Sequence, residues 1–176
     1  MWRWCRIEYK HISNIVGKEN CWFTNIKKGC KGLERWGKVI RQPVSKLNLK
    51  RVCVLDPEAE KAFAPEEAEE FDYVVFGGIL GNHPPEKRTK KELTNFLPAA
   101  QSRNIGQKQM STDNAVYVVN EIIRGKHLSE IAFKDEITIQ LTKSESTSFP
   151  YRYAVVNGKP LVSEELIDYL KRKRGL

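Results

Sequence analysis

At 176 residues the chain is long enough for one domain with a sizeable core and too short for a fusion of two enzymes. An apolar share of 40% and a charged share of 30% are those of an ordinary soluble globular protein, and helix-like and strand-like stretches both occur, so α/β is the expected class. The formal net charge of +8 fits an anionic partner such as RNA or a ribosome, whose counterions clustered lysines and arginines would release, and it fits a solvated basic face equally well.

No run approaches the roughly 18 apolar residues needed to cross a bilayer. The opening MWRWCRIEYKH has neither the apolar core nor the small-residue cleavage site of a secretory signal, so a cytoplasmic protein without membrane contact is expected. Cys5, Cys21, Cys30 and Cys53 form no C-x-x-C pair, and no histidine stands near them at ligand spacing; they read as reduced thiols, and no metal is expected. The basic excess sits in Lys27, Lys28, Lys31, Lys87, Arg88, Lys90, Lys91 and the tail from Lys171 to Arg174.

In chain order, Trp2 to Val16 reads as an amphipathic helix with Cys5, Ile12, Ile15 and Val16 on one face. A short strand is expected at Cys21 to Thr24, and RVCVL at 51–55 is a β-branched strand closed by the Asp56-Pro57 turn. DYVVF at 72–76 is continuously apolar from Tyr73, the pattern of a central strand covered on both faces. A helix is expected over 87–96, stopped near Pro98, followed by a strand within 99–105. TDNAVYVVNEII at 112–123 is the clearest helix: Thr112 caps it, Asp113 suits its positive end, and Ala115, Val116, Val119, Ile122 and Ile123 share a face. Then come a short helix at 128–132, strands at 136–141 and 151–156, the Asn157-Gly158 turn and a last helix over 163–172.

Two clusters stand where strands end. GGILGNHPP at 77–85 combines Gly77, Gly78 and Gly81, which let a backbone approach a ligand, with His83 and two stiffening prolines. It has neither the G-x-G-x-x-G order nor a following Lys-Ser or Lys-Thr pair, which excludes the common nucleotide loops. SRNIGQKQMSTDNA at 102–115 places Gly106 at a turn, with Lys108, Gln109, Ser111 and Thr112 as polar groups and Met110 able to pack on a ring. In an open parallel sheet ligands lie outside the carboxyl ends of the strands, so the two clusters are expected to meet there.

FDYVVFGGILGNHPP at 71–85 followed by SRNIGQKQMSTDNAV at 102–116 resembles the SPOUT methyltransferases, in particular the branch with the fungal enzyme that methylates an arginine of a small-subunit ribosomal protein and its archaeal relatives. The likeness runs on through RVCVLDP at 51–57 and FPYRYAVVNGKPLVSEELIDYL at 149–170. The resemblance implies a mostly parallel sheet with helices on both faces, a C-terminal deep trefoil knot, and one domain over 1–176 with a small β-rich insertion near 134–160. It implies S-adenosylmethionine as cofactor, with Phe76, Gly77, Gly78, Ile79, Leu80 and Gly81 on one side and Arg103, Asn104, Ile105, Gly106, Gln109, Met110 and Thr112 on the other. It also implies a ribosomal protein or ribosome as substrate, with RNA as the alternative substrate and a cofactor-free ribosome-binding module as the non-enzymatic one. Monomer and homodimer both remain open. Two departures are visible: the family pattern starts with a strand before the first helix whereas this sequence opens directly at MWRWCRIEYKH, so a strand is absent either from the sheet or from the start of the sequence, and Asn82 stands where the fungal enzyme has an acid.

An arginine acceptor is protonated at neutral pH, so a carboxylate must hold the guanidinium, take its proton, or both. Glu86 and Asp113 are the candidates from the two loops, with Asn82 and His83 as orienting partners. Asp113 reads equally well as a charge favouring a helix start.

Overall fold

The fold was taken from a computed structural model, which describes residues 3–27, 30–77 and 88–173; Gly78, Ile79, Leu80, Gly81, Asn82, His83 and Glu86 lie outside them. The first helix, α1, spans Arg3–Val16 and buries Ile7, Ile12 and Ser13, while Cys5, Ile15 and Val16 from the expected face are partly buried. It stops at Gly17, whose φ of 82° suits a residue without a Cβ, and whose N–H donates to the Ser13 carbonyl at 2.9 Å.

Two short strands follow, β1 at Trp22–Phe23 and β2 at Lys38–Val39, paired in parallel. A second parallel sheet has the order β4-β3-β5, from Tyr73–Val75, Val52–Leu55 and Gln101–Arg103 respectively. The expected single sheet is thus two among the described residues, and DYVVF is not the central strand of its own. β3 takes that place with all four residues buried, whereas β4 is an edge strand and half-buried. A continuous apolar run signals burial on both faces but carries no information on strand order. Between the two sheets the Trp22 and Tyr73 rings meet at 5.2 Å between centroids.

The helix expected over 87–96 is broken: α2 covers only Thr89–Glu92, Leu93 leaves helical geometry, and Thr94–Phe96 form a 3-10 turn. The Thr94 hydroxyl donates to the buried Asp56 carboxylate at 2.8 Å, a side-chain bond that competes with helix continuation. Helix α3, Thr112–Ile123, has its expected bounds. Its face is wider than expected, because Val118 is fully buried while Ile123 is 52% exposed. Packing explains this: α3 lies against α1 on one side and joins two hydrophobic clusters, Val116 packing with Ile12, Phe23 and Leu33, and Val118, Val119 and Ile122 with Cys53, Leu55 and Phe63. At about 1.5–3 kcal/mol for each large side chain removed from water, this helix is the main tie between the parts.

The remainder is an antiparallel sheet of β6 (Phe133–Gln140), β7 (Ser146–Val156) and β8 (Lys159–Pro160), longer than the strands expected there. Asn157 and Gly158, with φ of 50° and 75°, make the β7-β8 turn, and α4 follows at Glu164–Lys173. No helix among the described residues is long and apolar enough to cross a membrane.

Candidate active site

Because β3, β4 and β5 are parallel and register Val54 with Val75 and Leu55 with Arg103, the segments after β4 and β5 leave the sheet at the same edge. Phe76 and Met110, one from each segment, pack against the cluster that contains Ile105. All three belong to one hydrophobic cluster near the carboxyl ends of the strands, where open α/β sheets hold ligands.

The segment from Asn104 to Ser111 is shaped by its own polar groups. The Asn104 side chain donates to the Ala59 carbonyl at 2.8 Å and accepts the Gly106 N–H at 3.0 Å, and Gly106 turns the chain with a φ of 96°. A Cβ built on Gly106 would meet Arg152 Nη1 at 3.9 Å, ordinary contact, so among the described residues the space over this turn is open. The far end is fastened to the C-terminal hairpin: the Arg152 N–H donates to the Gln109 carbonyl at 2.8 Å, and Met110 bridges Arg152 in parallel. Lys108 and Arg152 both pair with Asp135, at 2.5 and 2.7 Å, and hold its carboxyl well below the usual range.

Arg103 is a buried ion-pair partner. Its Nε and Nη2 donate to the two Glu67 carboxylate oxygens at 2.7 and 2.9 Å, and Nη2 also reaches Gln101. The same guanidinium, with Lys61, brings the Glu67 carboxyl down to about 2. The Arg103 side chain is therefore committed to the 3-10 turn at Pro65–Glu70.

Thr112 does not cap α3 with its side chain, nor does Ser111, the residue at the cap position. The Thr112 N–H instead donates to Glu8 Oε1 at 2.9 Å, so a carboxylate from α1 closes the helix start. Asp113 is buried and lies 2.7 Å from His11 Nδ1, also on α1, and its other oxygen accepts the Asn114 N–H. Burial, and then the neighbouring Asp113 charge, push the Glu8 carboxyl up to about 7 against the lowering effect of its hydrogen bonds. Glu8 and His11 went unread as site residues. The available signal was their i,i+3 spacing, which sets two titratable groups on one helix face beside the apolar positions.

Glu8, Met110 and Thr112 line one cavity with Trp4, Tyr151 and Tyr153. The candidate site thus has two parts, an apolar cluster and an acid-bearing aromatic cavity, with Met110 belonging to both. A flat adenine ring and ribose suit the first part, and a cationic group suits the second.

The model of the family described as "Protein arginine N-methyltransferase SFM1-like" matches residues 1–175. Protein arginine N-methyltransferase SFM1 of Saccharomyces cerevisiae is 36% identical over 188 residues, covering 96% of this chain and 88% of the relative. The structure of the yeast SFM1 complexed with SAM superposes with a TM-score of 0.88 at 34% identity, over 98% of this chain and 86% of the yeast one. Dual-specific Trm10 from Thermococcus kodakaraensis, at 14% identity and a TM-score of 0.52 over 74% of this chain and 93% of its own, shares the fold. A match over nearly the full length, by family model, sequence and structure together, assigns the chain to the SFM1-like family of S-adenosylmethionine-dependent protein arginine methyltransferases.

Proposed function

We propose that the chain transfers a methyl group from S-adenosylmethionine to an arginine of a small-subunit ribosomal protein. The observation that carries this reading is the cavity of Trp4, Glu8, Tyr151 and Tyr153 beside the Met110 segment, which suits a guanidinium, in a chain 36% identical to the yeast protein arginine N-methyltransferase.

S-adenosylmethionine, when bound, supplies an electrophilic sulfonium methyl. Phe76, Ile105 and Met110 supply apolar side chains from one cluster for the adenosyl group, and the open turn at Gly106 lets the backbone come close to it. Asp135, Lys108 and Arg152 hold that segment on the hairpin, so its position is fixed before the cofactor arrives. Positioning is the main contribution expected of the protein, since transfer is an in-line displacement in which charge is lost rather than built.

A ribosomal substrate is supported by the resemblance of the paired motifs and by the +8 charge, which favours approach to an RNA-rich particle. The same charge supports RNA as the methyl acceptor. Purified protein incubated with methyl-labelled S-adenosylmethionine and ribosomes from a strain lacking it separates the two. The expected result is label in one small-subunit protein, released as methylarginine on hydrolysis and absent with Gly106→Trp. Label confined to RNA overturns the protein substrate, and no label with no cofactor binding overturns the enzyme reading.

A further inference from the structure

We propose that Glu8 of α1 receives the substrate guanidinium in the cavity enclosed by α1, the start of α3 and β7. This rests on the protein-arginine reading above and assigns within it the carboxylate that the chemistry requires.

The geometry supplies three independent reasons. The cavity adjoins the cofactor segment, because Met110 and Thr112 line it as well. Its walls include Trp4, Tyr151 and Tyr153, whose ring faces attract a planar cation, and Trp4 is braced by Phe149 at 5.7 Å between centroids. Among the described residues no lysine or arginine pairs with Glu8, although a second carboxylate, Asp113, stands beside it. Asp113 is engaged by His11 and Asn114, whereas Glu8 accepts only from neutral donors at the start of α3, the Thr112 and Asp113 N–H groups and the Thr112 hydroxyl, so among the described residues Glu8 is the acid without a basic partner. A guanidinium there would pair with Glu8 by charge-assisted hydrogen bonds and relieve the repulsion between the two acids.

The transfer balances as follows. A guanidinium nitrogen bonds to the methyl carbon, the carbon–sulfur pair returns to sulfur as a neutral thioether, and one N–H proton is lost from the nitrogen that attacked. Glu8 takes that proton and passes it to solvent, and its raised pKa makes it a better acceptor than an ordinary carboxylate. The titratable groups around it are Cys5, Tyr9 and His11 on α1, Asp113 on α3, and Tyr151 and Tyr153 on β7.

The test compares the wild type with Glu8→Gln, Glu8→Asp and the control Glu165→Gln, an exposed residue of α4 paired with Lys10. Labelled S-adenosylmethionine and ribosomes from a strain lacking the protein are the substrates, with cofactor binding measured by calorimetry. Glutamine keeps an oxygen for the Thr112 N–H but cannot take a proton. Glu8→Gln should bind the cofactor within about twofold of wild type and lose about 100-fold or more in kcat, while Glu8→Asp recovers about tenfold and Glu165→Gln matches wild type. Protein label retained by Glu8→Gln within about threefold overturns the assignment alone. Loss of cofactor binding in both Glu8 variants also overturns it, since Glu8 would then serve to hold α3. Wild-type label in RNA only overturns the protein-arginine reading and the role of Glu8 with it.

Discussion

The Glu8 carboxylate accepts the Thr112 N–H at 2.9 Å across 104 positions of sequence, so the start of α3 is completed by the first helix of the chain. Ser111 and Thr112, the local residues suited to capping, make no such bond. The consequence is that the segment proposed to hold the cofactor, which runs directly into α3, is referenced to α1 as well as to its own sheet. A second link one residue on, His11 to Asp113 at 2.7 Å, fixes the same two helices and makes that reference rigid.

Glu8 should make the fold pH-dependent in an unusual direction. Its folded pKa of about 7 lies above the ordinary carboxylate value, so its contribution is fully present below about pH 4.5 and is lost as pH rises through about 7. Glu8→Gln should therefore be more stable than wild type at pH 8 by roughly 1 to 3 kcal/mol and equal to it near pH 4.5. Urea unfolding at the two pH values measures this. A glutamine variant weaker than wild type at pH 8 would contradict it.

Glu67 works with the opposite sign. Its carboxyl, held down to about 2 chiefly by Arg103, contributes stability above about pH 4.5 that is lost as pH falls towards 2. Arg103→Met leaves a buried carboxylate whose other partner, Lys61, is exposed, and should cost about 3 to 5 kcal/mol at pH 7. Acid unfolding of the variant should also lose its steep limb below pH 4.5. An unchanged acid midpoint would show that the pair does not govern acid stability.

The sequence made the elements legible wherever one residue pattern sufficed. α3, β3 and the Asn157-Gly158 turn depend on apolar periodicity or turn chemistry that neighbouring residues supply. Strand order was not legible, because DYVVF is as apolar as a central strand while VCVL holds the centre. The candidate site divides in the same way: Phe76, Ile105 and Met110 stand within the motifs that drew attention to them, whereas Glu8 and His11 gain meaning only from α3 packing against α1. Likewise the sequence put Arg103 in an expected strand beside the cofactor motif and gave no sign of its ion pair, because the partner Glu67 sits in a distant acidic run.

Gly37 tests the joint between β1 and β2. A Cβ there would lie 2.6 Å from the Cys21 carbonyl oxygen and 2.7 Å from the Cys21 Cβ, and backbone cannot step aside as a flexible side chain can. Gly37→Ala should therefore part the two strands and lower the melting temperature by about 3 to 10 °C, through a cost of about 1 to 3 kcal/mol. A melting curve superimposable on wild type would mean that this approach relaxes freely.

Asn114 should matter to both folding and catalysis, because it is the pin between α3 and the C-terminal sheet. It is fully buried; its amide donates to the Leu161 carbonyl and to Ser111 Oγ, each at 3.0 Å, and its carbonyl accepts the Ala154 N–H at 2.9 Å. Asn114→Ala leaves the Leu161 and Ala154 backbone groups without this partner and should cost about 2 to 4 kcal/mol. The hairpin also anchors Gln109 and Lys108, so loosening it should weaken cofactor binding more than its distance from the apolar cluster suggests. Asn114→Asp is the sharper probe. It keeps the acceptor for Ala154, removes both donors and adds a charge beside Asp113, so it should unfold more readily than Asn114→Ala at pH 8 and regain ground as pH falls. The same order of stability at pH 5 and pH 8 would show that lost hydrogen bonds, and not charge at the start of α3, set the cost.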